Sequence, residues 1–306
     1  MGTPAAAVPS LRRLFDDGHD VAAVYTQPDR PSGRGNRITF SPVKDWAIEH
    51  NIPVLQPLKI RTPEAIGEFR DFDADVAVVV AYGRILPDTF LNAFPNGAIN
   101  VHFSLLPKYR GAAPVNWAIV NGEAETGVTT MQMDVGLDTG PILLQRATKI
   151  NAEETAIELM GRLADLGAEL LSETLARLQE IEPTMQDHAS KTLAPIMRRE
   201  DGVIDWSMTA KAISDRVRGF QPFPTAFTSH NNSKVTIWKA FPAEGFVNAA
   251  VKVGEVLQAK GDDLLISCGD RTVLRIEEIQ PEGKRRMSMR DFLNGLKVNI
   301  GDVFSG

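Results

Sequence analysis

Residues 74–81, ADVAVVVA, are apolar without a break after Asp75. In an antiparallel sheet with one wet face, apolar and polar side chains alternate. An uninterrupted run of this kind is the pattern of a parallel strand covered on both faces. Parallel neighbours need long crossovers, usually helical, and the flanking sequence supplies them. Thr3-Pro4 reads as N-cap and first position of a helix over 5–15, with Pro9 as a kink. Ser41-Pro42 opens a helix reaching about Asn51, Thr62-Pro63 opens another, and Pro87 starts a short one. Residues 114–120 read as a helix, and 155–178 as a long amphipathic one with leucines three and four apart. Short extended runs lie at 21–25, 53–56, 98–103, 127–133 and 142–145. Strands alternating with helices predict a doubly wound, largely parallel α/β domain.

The pattern changes near Glu182. Residues 182–202, EPTMQDHASKTLAPIMRREDG, are irregular and polar and read as a linker. A helix over 208–219 follows, then short extended runs at 226–229, 235–240, 254–259, 264–267 and 273–279. Turn signals such as Asn231-Asn232, Gly261-Asp262 and Gly269-Asp270 separate them, which predicts a small β-barrel. A chain of 306 residues is long enough for two domains. The expected division is a first domain over 1–183, a linker over 184–203 and a barrel domain over 204–306.

Composition excludes several classes of function. The longest apolar run, 76–81, is too short to span a bilayer. No basic-then-apolar segment opens the chain, so a cytoplasmic protein without membrane contact is expected. The single cysteine, Cys268, excludes an internal disulfide and a thiolate zinc cluster; the five histidines show no HExxH spacing, so no metal is expected. A net charge of −6 argues mildly against polyanion binding, although local patches decide that question.

Chemistry concentrates in residues 98–114, AINVHFSLLPKYRGAAP, and 131–140, MQMDVGLDTG. Ile99, Val101 and Phe103 alternate with Asn100, His102 and Ser104, so the polar side chains share one strand face and Phe103 packs in the core. The second piece is a strand entering a loop with Asp134 and Asp138 near glycines. Open α/β sheets place their sites where strand ends feed such loops. Each residue also has a plainer role, as a strand-end hydrogen-bonding group or a turn aspartate. Together Asn100, His102 and Asp138 suit attack of an amine on an acyl or formyl carbon. Negative charge building on the carbonyl oxygen needs aimed donors, which an Asn amide and a protonated His supply. A nearby carboxylate supports the charged imidazole and accepts or relays the amine proton. No serine or cysteine nucleophile with a base is evident, which favours direct transfer.

With these segments in view, the chain resembles the 10-formyltetrahydrofolate-dependent formyltransferases, and among them those that act on methionyl-tRNA. TQPDRPSGRG at 26–35, SPVK at 41–44, VVVAYG at 78–83 and IDWS at 204–207 extend the likeness over nearly the whole chain. The resemblance implies a Rossmann-like formyltransferase domain followed by an OB-fold-like barrel that binds tRNA. It also implies 10-formyltetrahydrofolate as formyl donor, initiator methionyl-tRNA as acceptor, and a monomer. Asn100 and His102 would stabilise the developing oxyanion, and Asp138 would pair with His102 and assist deprotonation of the amine. Ser104, Leu105, Leu106 and Pro107 would contact the folate. Residues 27–37 read either as a solvated turn or, by the resemblance, as a loop inserted against the tRNA acceptor end, with Arg30, Arg34 and Arg37 as its contacts. Lys284, Arg285, Arg286, Arg290 and the pair Arg198-Arg199 are equally open between a solvated face and a second RNA-contacting strip.

The departure lies at the amino terminus. The family pattern has a strand ahead of an xGTP loop, whereas this sequence starts at Met1-Gly2-Thr3-Pro4. The expectation is that Met1 is internal to a longer protein and that the central first strand is missing, which leaves the activity of the chain as given open. Amino-sugar or glycinamide-ribonucleotide formyltransferases should lack the arginine loop and the barrel. A dinucleotide oxidoreductase predicts a GxGxxG that is not seen, and a purely RNA-binding barrel leaves Asn100, His102 and Asp138 unexplained.

Overall fold

The computed structural model describes residues 1–32, 37–245 and 247–306. The chain forms two compact units. One comprises Met1–Pro114, Glu125–Lys149 and Met160–Ala194; the other comprises Val115–Ala124, Ile150–Leu159 and Pro195–Gly306.

The first unit opens with a 3-10 turn, Ala5–Ala7, leading into α1 (Val8–Asp16). Pro9 does not kink this helix. It stands in the first turn, where a missing N–H has no intrahelical partner to lose. Then come β1 (Val24–Tyr25), β2 (Arg30–Ser32), β3 (Arg37–Thr39), α2 (Pro42–Glu49), β4 (Val54–Leu55), α3 (Pro63–Arg70), β5 (Ala77–Val79), α4 (Asp88–Leu91) and β6 (Ala98–His102). As the sequence predicts, the hydroxyls of Ser41 and Thr62 cap α2 and α3, accepting from the N–H groups of Lys44 and Ala65. Further along the chain are β7 (Arg110–Gly111), α5 (Pro114–Val120), which belongs to the second unit from Val115, β8 (Glu125–Gln132), β9 (Ile142–Lys149), α6 (Ala156–Ala176), which belongs to the first unit from Met160, and β10 (Leu193–Ala194).

The main sheet has the order β5-β6-β8-β9. β5 and β6 are parallel, with Val79 opposite Asn100, as the apolar run of β5 requires. The far half corrects the expectation of a largely parallel sheet, because β8 is antiparallel to both β6 and β9. The loop joining β8 to β9 is too short for a crossover and permits only an antiparallel return. Every residue of β6 is buried. Gly167 of α6 lies close against it: a Cβ there would stand 2.9 Å from Val101 Cγ1 and 3.4 Å from Phe103 Cε1. Val101 and Phe103 therefore face the helix, which leaves Asn100 and His102 on the opposite face.

β1 and β4 form a separate parallel pair. Between β1 and β5 stand Met1 and Gly2. The Met1 amine donates to the Val78 carbonyl (2.7 Å), Val80 N–H donates to Met1 O (2.9 Å), and Gly2 N–H donates to Tyr25 O (2.9 Å). Two residues thus stand between β1 and β5, at the place where the family pattern has a strand. Beyond them the half-sheets part around a cavity of about 300 Å³, lined by Ala22, Ala23, Phe72, Val76 and Val78 among others. Burial at this position pushes the Met1 amine down to about 5. The Tyr25 hydroxyl, also buried, has no hydrogen-bond partner among the described residues.

The second unit contains α7 (Ala210–Gly219), β11 (Ala226–His230), β12 (Ser233–Ala243), β13 (Val256–Lys260), β14 (Asp263–Ser267), β15 (Val273–Pro281), β16 (Met287–Ser288) and α8 (Met289–Gly295). Its strands are antiparallel in the order β11-β12-β15-β14-β13, with β16 on β15. The carboxy-terminal tail joins the two outer strands, since Val303 bridges Glu255 and Ser305 bridges Ser229. That closure makes the small barrel, filled by Ile237, Leu264, Ile266, Leu274, Ile276 and Phe292. Trp206 of the IDWS motif is buried, and its indole N–H donates to Thr228 Oγ1 (3.1 Å). Among the described residues, no helix is long and apolar enough to cross a membrane.

Candidate active site

β6 and the loop between β8 and β9 bring Asn100, His102 and Asp138 together. The His102 ring is buried, and its Nε2 lies 2.9 Å from the Tyr109 carbonyl. A carbonyl only accepts, so Nε2 carries the hydrogen of that bond. Any further proton the ring gains goes to Nδ1, which stands 3.8 Å from Asp138 Oδ2. This is an ion-pair separation, longer than a hydrogen bond. The same Oδ2 accepts the backbone N–H of Gly111 (2.8 Å). The Asn100 side chain has no hydrogen-bond partner among the described residues. Asp134 does not join this group. Its carboxylate accepts from Gly136 N–H (3.0 Å) and Thr139 Oγ1 (2.6 Å) and organises the loop itself.

Three neighbours escaped the sequence reading. Gly111 has a φ of +125°, and a Cβ there would stand 2.5 Å from the Ala194 carbonyl, so only glycine lets β7 pair with β10 and reach Asp138. Gln186, within the stretch read as a linker, donates to the Asp138 carbonyl. Thr129, opposite His102 across β6 and β8, donates to Ser104 O (2.6 Å) and accepts from Leu106 N–H (3.1 Å). Its signal was the pair of adjacent hydroxyls, Thr129 and Thr130, in the buried middle of β8; Gly111 and Gln186 carried none.

The segment expected to contact folate is tied down from within. Ser104 is fully buried and its hydroxyl donates to Lys108 O (2.6 Å). Leu106 is buried, and its carbonyl accepts from the Gln145 amide (2.9 Å). Leu105 and Pro107 are half-buried and present the apolar surface of this turn.

The motifs at 26–35 and 41–44 meet at the stem of the β2–β3 hairpin. The Lys44 ammonium bonds Asp29 and also Gln56 Oε1 (2.8 Å), while Gln56 Nε2 donates to Asp29 Oδ1 and to the Gln27 carbonyl, both at 2.8 Å. Lys44, then Gln56, hold the Asp29 carboxyl below the usual carboxylate range. Arg30 is exposed on β2, and Arg37 begins β3; Arg34 lies outside the described residues. No hydrogen bond or ion pair links Arg30 to Asn100, His102 or Asp138 among the described residues. In the second unit Arg198, Arg199, Lys284, Arg285, Arg286 and Arg290 are all exposed. Arg286 pairs with Glu278 and Arg290 with Asp262, whereas Lys284 and Arg285 have no carboxylate partner among the described residues. No group of three metal-ligating side chains occurs among the described residues.

Residues 1–175 match the formyl transferase family, and residues 196–297 match its carboxy-terminal domain. The chain belongs to the formyl transferase family. This formyl transferase is 50% identical over 305 residues to the methionyl-tRNA formyltransferase of Citrifermentans bemidjiense, spanning 99% of this chain and 94% of that protein. Against the methionyl-tRNA formyltransferase of Caldanaerobacter subterraneus the identity is 49% over 306 residues, 99% and 98% of the two chains. In three dimensions it is similar to the N-formyltransferase from Helicobacter canadensis in complex with folinic acid and dTDP-3-aminofucose, with a TM-score of 0.68 and 22% identity over 92% of this chain and 97% of that one. The sugar 3N-formyl transferase WlaRD gives a TM-score of 0.67 at 21% identity, covering 93% and 97%. These two likenesses establish the fold; the sequence relatives establish the family.

Proposed function

We propose that this formyl transferase moves the formyl group of 10-formyltetrahydrofolate onto the free amino group of methionyl-tRNA. The carrying observation is the convergence of Asn100, His102 and Asp138 in a chain 50% identical to a methionyl-tRNA formyltransferase. The folate supplies the activated formyl group; the remaining tasks fall to the chain. The open Asn100 amide and a protonated His102 Nδ1 donate to the formyl oxygen as the amine attacks and charge builds there. Asp138, facing Nδ1, balances the imidazolium and takes up the proton that the attacking nitrogen must lose; as the oxyanion collapses, the bond from the formyl carbon to folate N10 breaks and a proton passes to N10, releasing tetrahydrofolate. Ser104 supports direct transfer, because its hydroxyl is committed to Lys108 O and is not a free nucleophile. Leu105 and Pro107 form the apolar wall for the pterin, while Ser104 and Leu106 hold the turn from inside. Arg30, Arg34 and Arg37 contact the tRNA acceptor end, and exposed Lys284 and Arg285 add positive charge on the barrel. The active species is a cytoplasmic monomer that needs no metal.

The test is transfer of formyl from 10-formyltetrahydrofolate to charged initiator tRNA, with an amino-sugar nucleotide as the competing acceptor. Asn100→Ala and His102→Ala should each lower kcat by about 10²–10³-fold, the scale for an oxyanion donor, with folate affinity unchanged. Formylation of the sugar and not of the tRNA sinks the proposal.

A further inference from the structure

Gln186 is 5% exposed, and both ends of its amide are used. Its Oε1 accepts from the Arg110 guanidinium, Nε at 3.0 Å and Nη2 at 2.6 Å. Its Nε2 donates to the carbonyls of Asp138 (3.0 Å) and Gly140 (2.7 Å). Arg110 is 3% exposed and has no carboxylate partner among the described residues. A guanidinium only donates, so Arg110 dictates which end of the Gln186 amide faces it. The two N–H groups are thereby aimed at the loop carrying Asp138. Arg110 also begins β7, whose next residue, Gly111, donates to the Asp138 carboxylate. β7 is pinned by its pairing with β10, Arg110 against Leu193 and Gly111 against Ala194.

Asp138 is therefore gripped twice, at its carbonyl by Gln186 and at its carboxylate by Gly111. Its φ of 51° lies in the left-handed region, which a residue other than glycine holds only when its surroundings demand it. The carboxylate stands 3.8 Å from His102 Nδ1, a distance that a small change in the loop would alter.

We propose that Gln186 is a positioning residue for formyl transfer, setting the Asp138 carboxylate against His102 while Arg110 fixes the direction of the Gln186 amide. The inference rests on the role assigned to Asp138 above. It gives the stretch between α6 and β10, which the sequence reads mostly as a linker, a task of its own, since one of its side chains reaches Asp138 through a single carbonyl.

Gln186→Glu is the informative change. It keeps an acceptor for Arg110 and removes both N–H donors, leaving carboxylate oxygen opposite two carbonyls. The expected result is a folded protein whose kcat falls on the order of 10- to 100-fold, with KM for both substrates within about twofold, as for misplacement of a catalytic group. In an Asp138→Asn background the same change should have little further effect on kcat, since both act on one element. An unchanged kcat in Gln186→Glu, or an equal loss in both backgrounds, overturns the proposal. Should Gln186→Glu not fold, Arg110→Lys, which keeps the charge but loses the fork, is read through the same cycle with the same expectations. Full activity of Asp138→Asn alone would instead overturn the role given to Asp138, so the two failures are distinguishable.

Discussion

The amino terminus offers a prediction whose size follows from its burial. In a chain that retains Met1, verified by mass, the α-amine sits between Val78 and the cavity with its pKa pushed from 8.0 to about 5. The folded chain therefore binds fewer protons than the unfolded chain between those values. Stability from this group is complete above pH 8 and is lost as pH falls towards 5. At about 1.4 kcal/mol per pH unit, the loss is about 1.4 kcal/mol at pH 7 and about 4 kcal/mol at pH 5. Joining an extended segment of alternating valine and isoleucine ahead of Met1 converts the amine to an amide and abolishes the titration. The two chains then differ in this one titration. Urea denaturation of both chains from pH 5 to 8 measures it, and all shared titrations drop out of the difference. The gap in stability should widen by about 1.4 kcal/mol for each pH unit below 8; parallel curves would refute the reasoning.

Other outcomes follow from the sequence and the structure. Arg34→Ala should weaken methionyl-tRNA binding and reduce the slope of log K against log salt by about one, measured by filter binding; an unchanged slope moves the tRNA contact elsewhere. Asp215→Ala removes the carboxylate that accepts from Arg218 Nε (3.1 Å) and Nη2 (2.9 Å) with both side chains buried. Leaving that guanidinium unpaired should cost about 3–5 kcal/mol in chemical denaturation. Cys268 is buried, and burial pushes its thiol up to about 12, so alkylation at pH 8 should proceed only as fast as the second unit unfolds.

Much of the first unit was legible because it depends on local rules. The apolar run at 74–81 marks β5, and Ser41-Pro42 and Thr62-Pro63 mark the starts of α2 and α3. The two-residue period of a strand places Asn100 and His102 on one face whatever lies around them. The antiparallel turn of β8 was not legible, because direction depends on how the chain returns and not on the strand's own pattern. Pro9 was misplaced for a related reason: a proline starts or breaks a helix according to where the first turn falls, which here follows the 3-10 turn at Ala5–Ala7.

The sequence by itself determined which side chains are available for chemistry and which of them share a strand face, since both follow from residue type and backbone period. Only the tertiary structure decided how they are held. Nε2 of His102 is committed to a carbonyl seven residues away, and Asp138 is fastened by Gly111 and by Gln186, a residue from a stretch that reads as mere connection. The two bonds to Asp138 join residues 27 and 48 apart along the chain, and no periodicity records them. Gly111 is held by the pairing of β7 with β10, which is a property of the folded molecule alone.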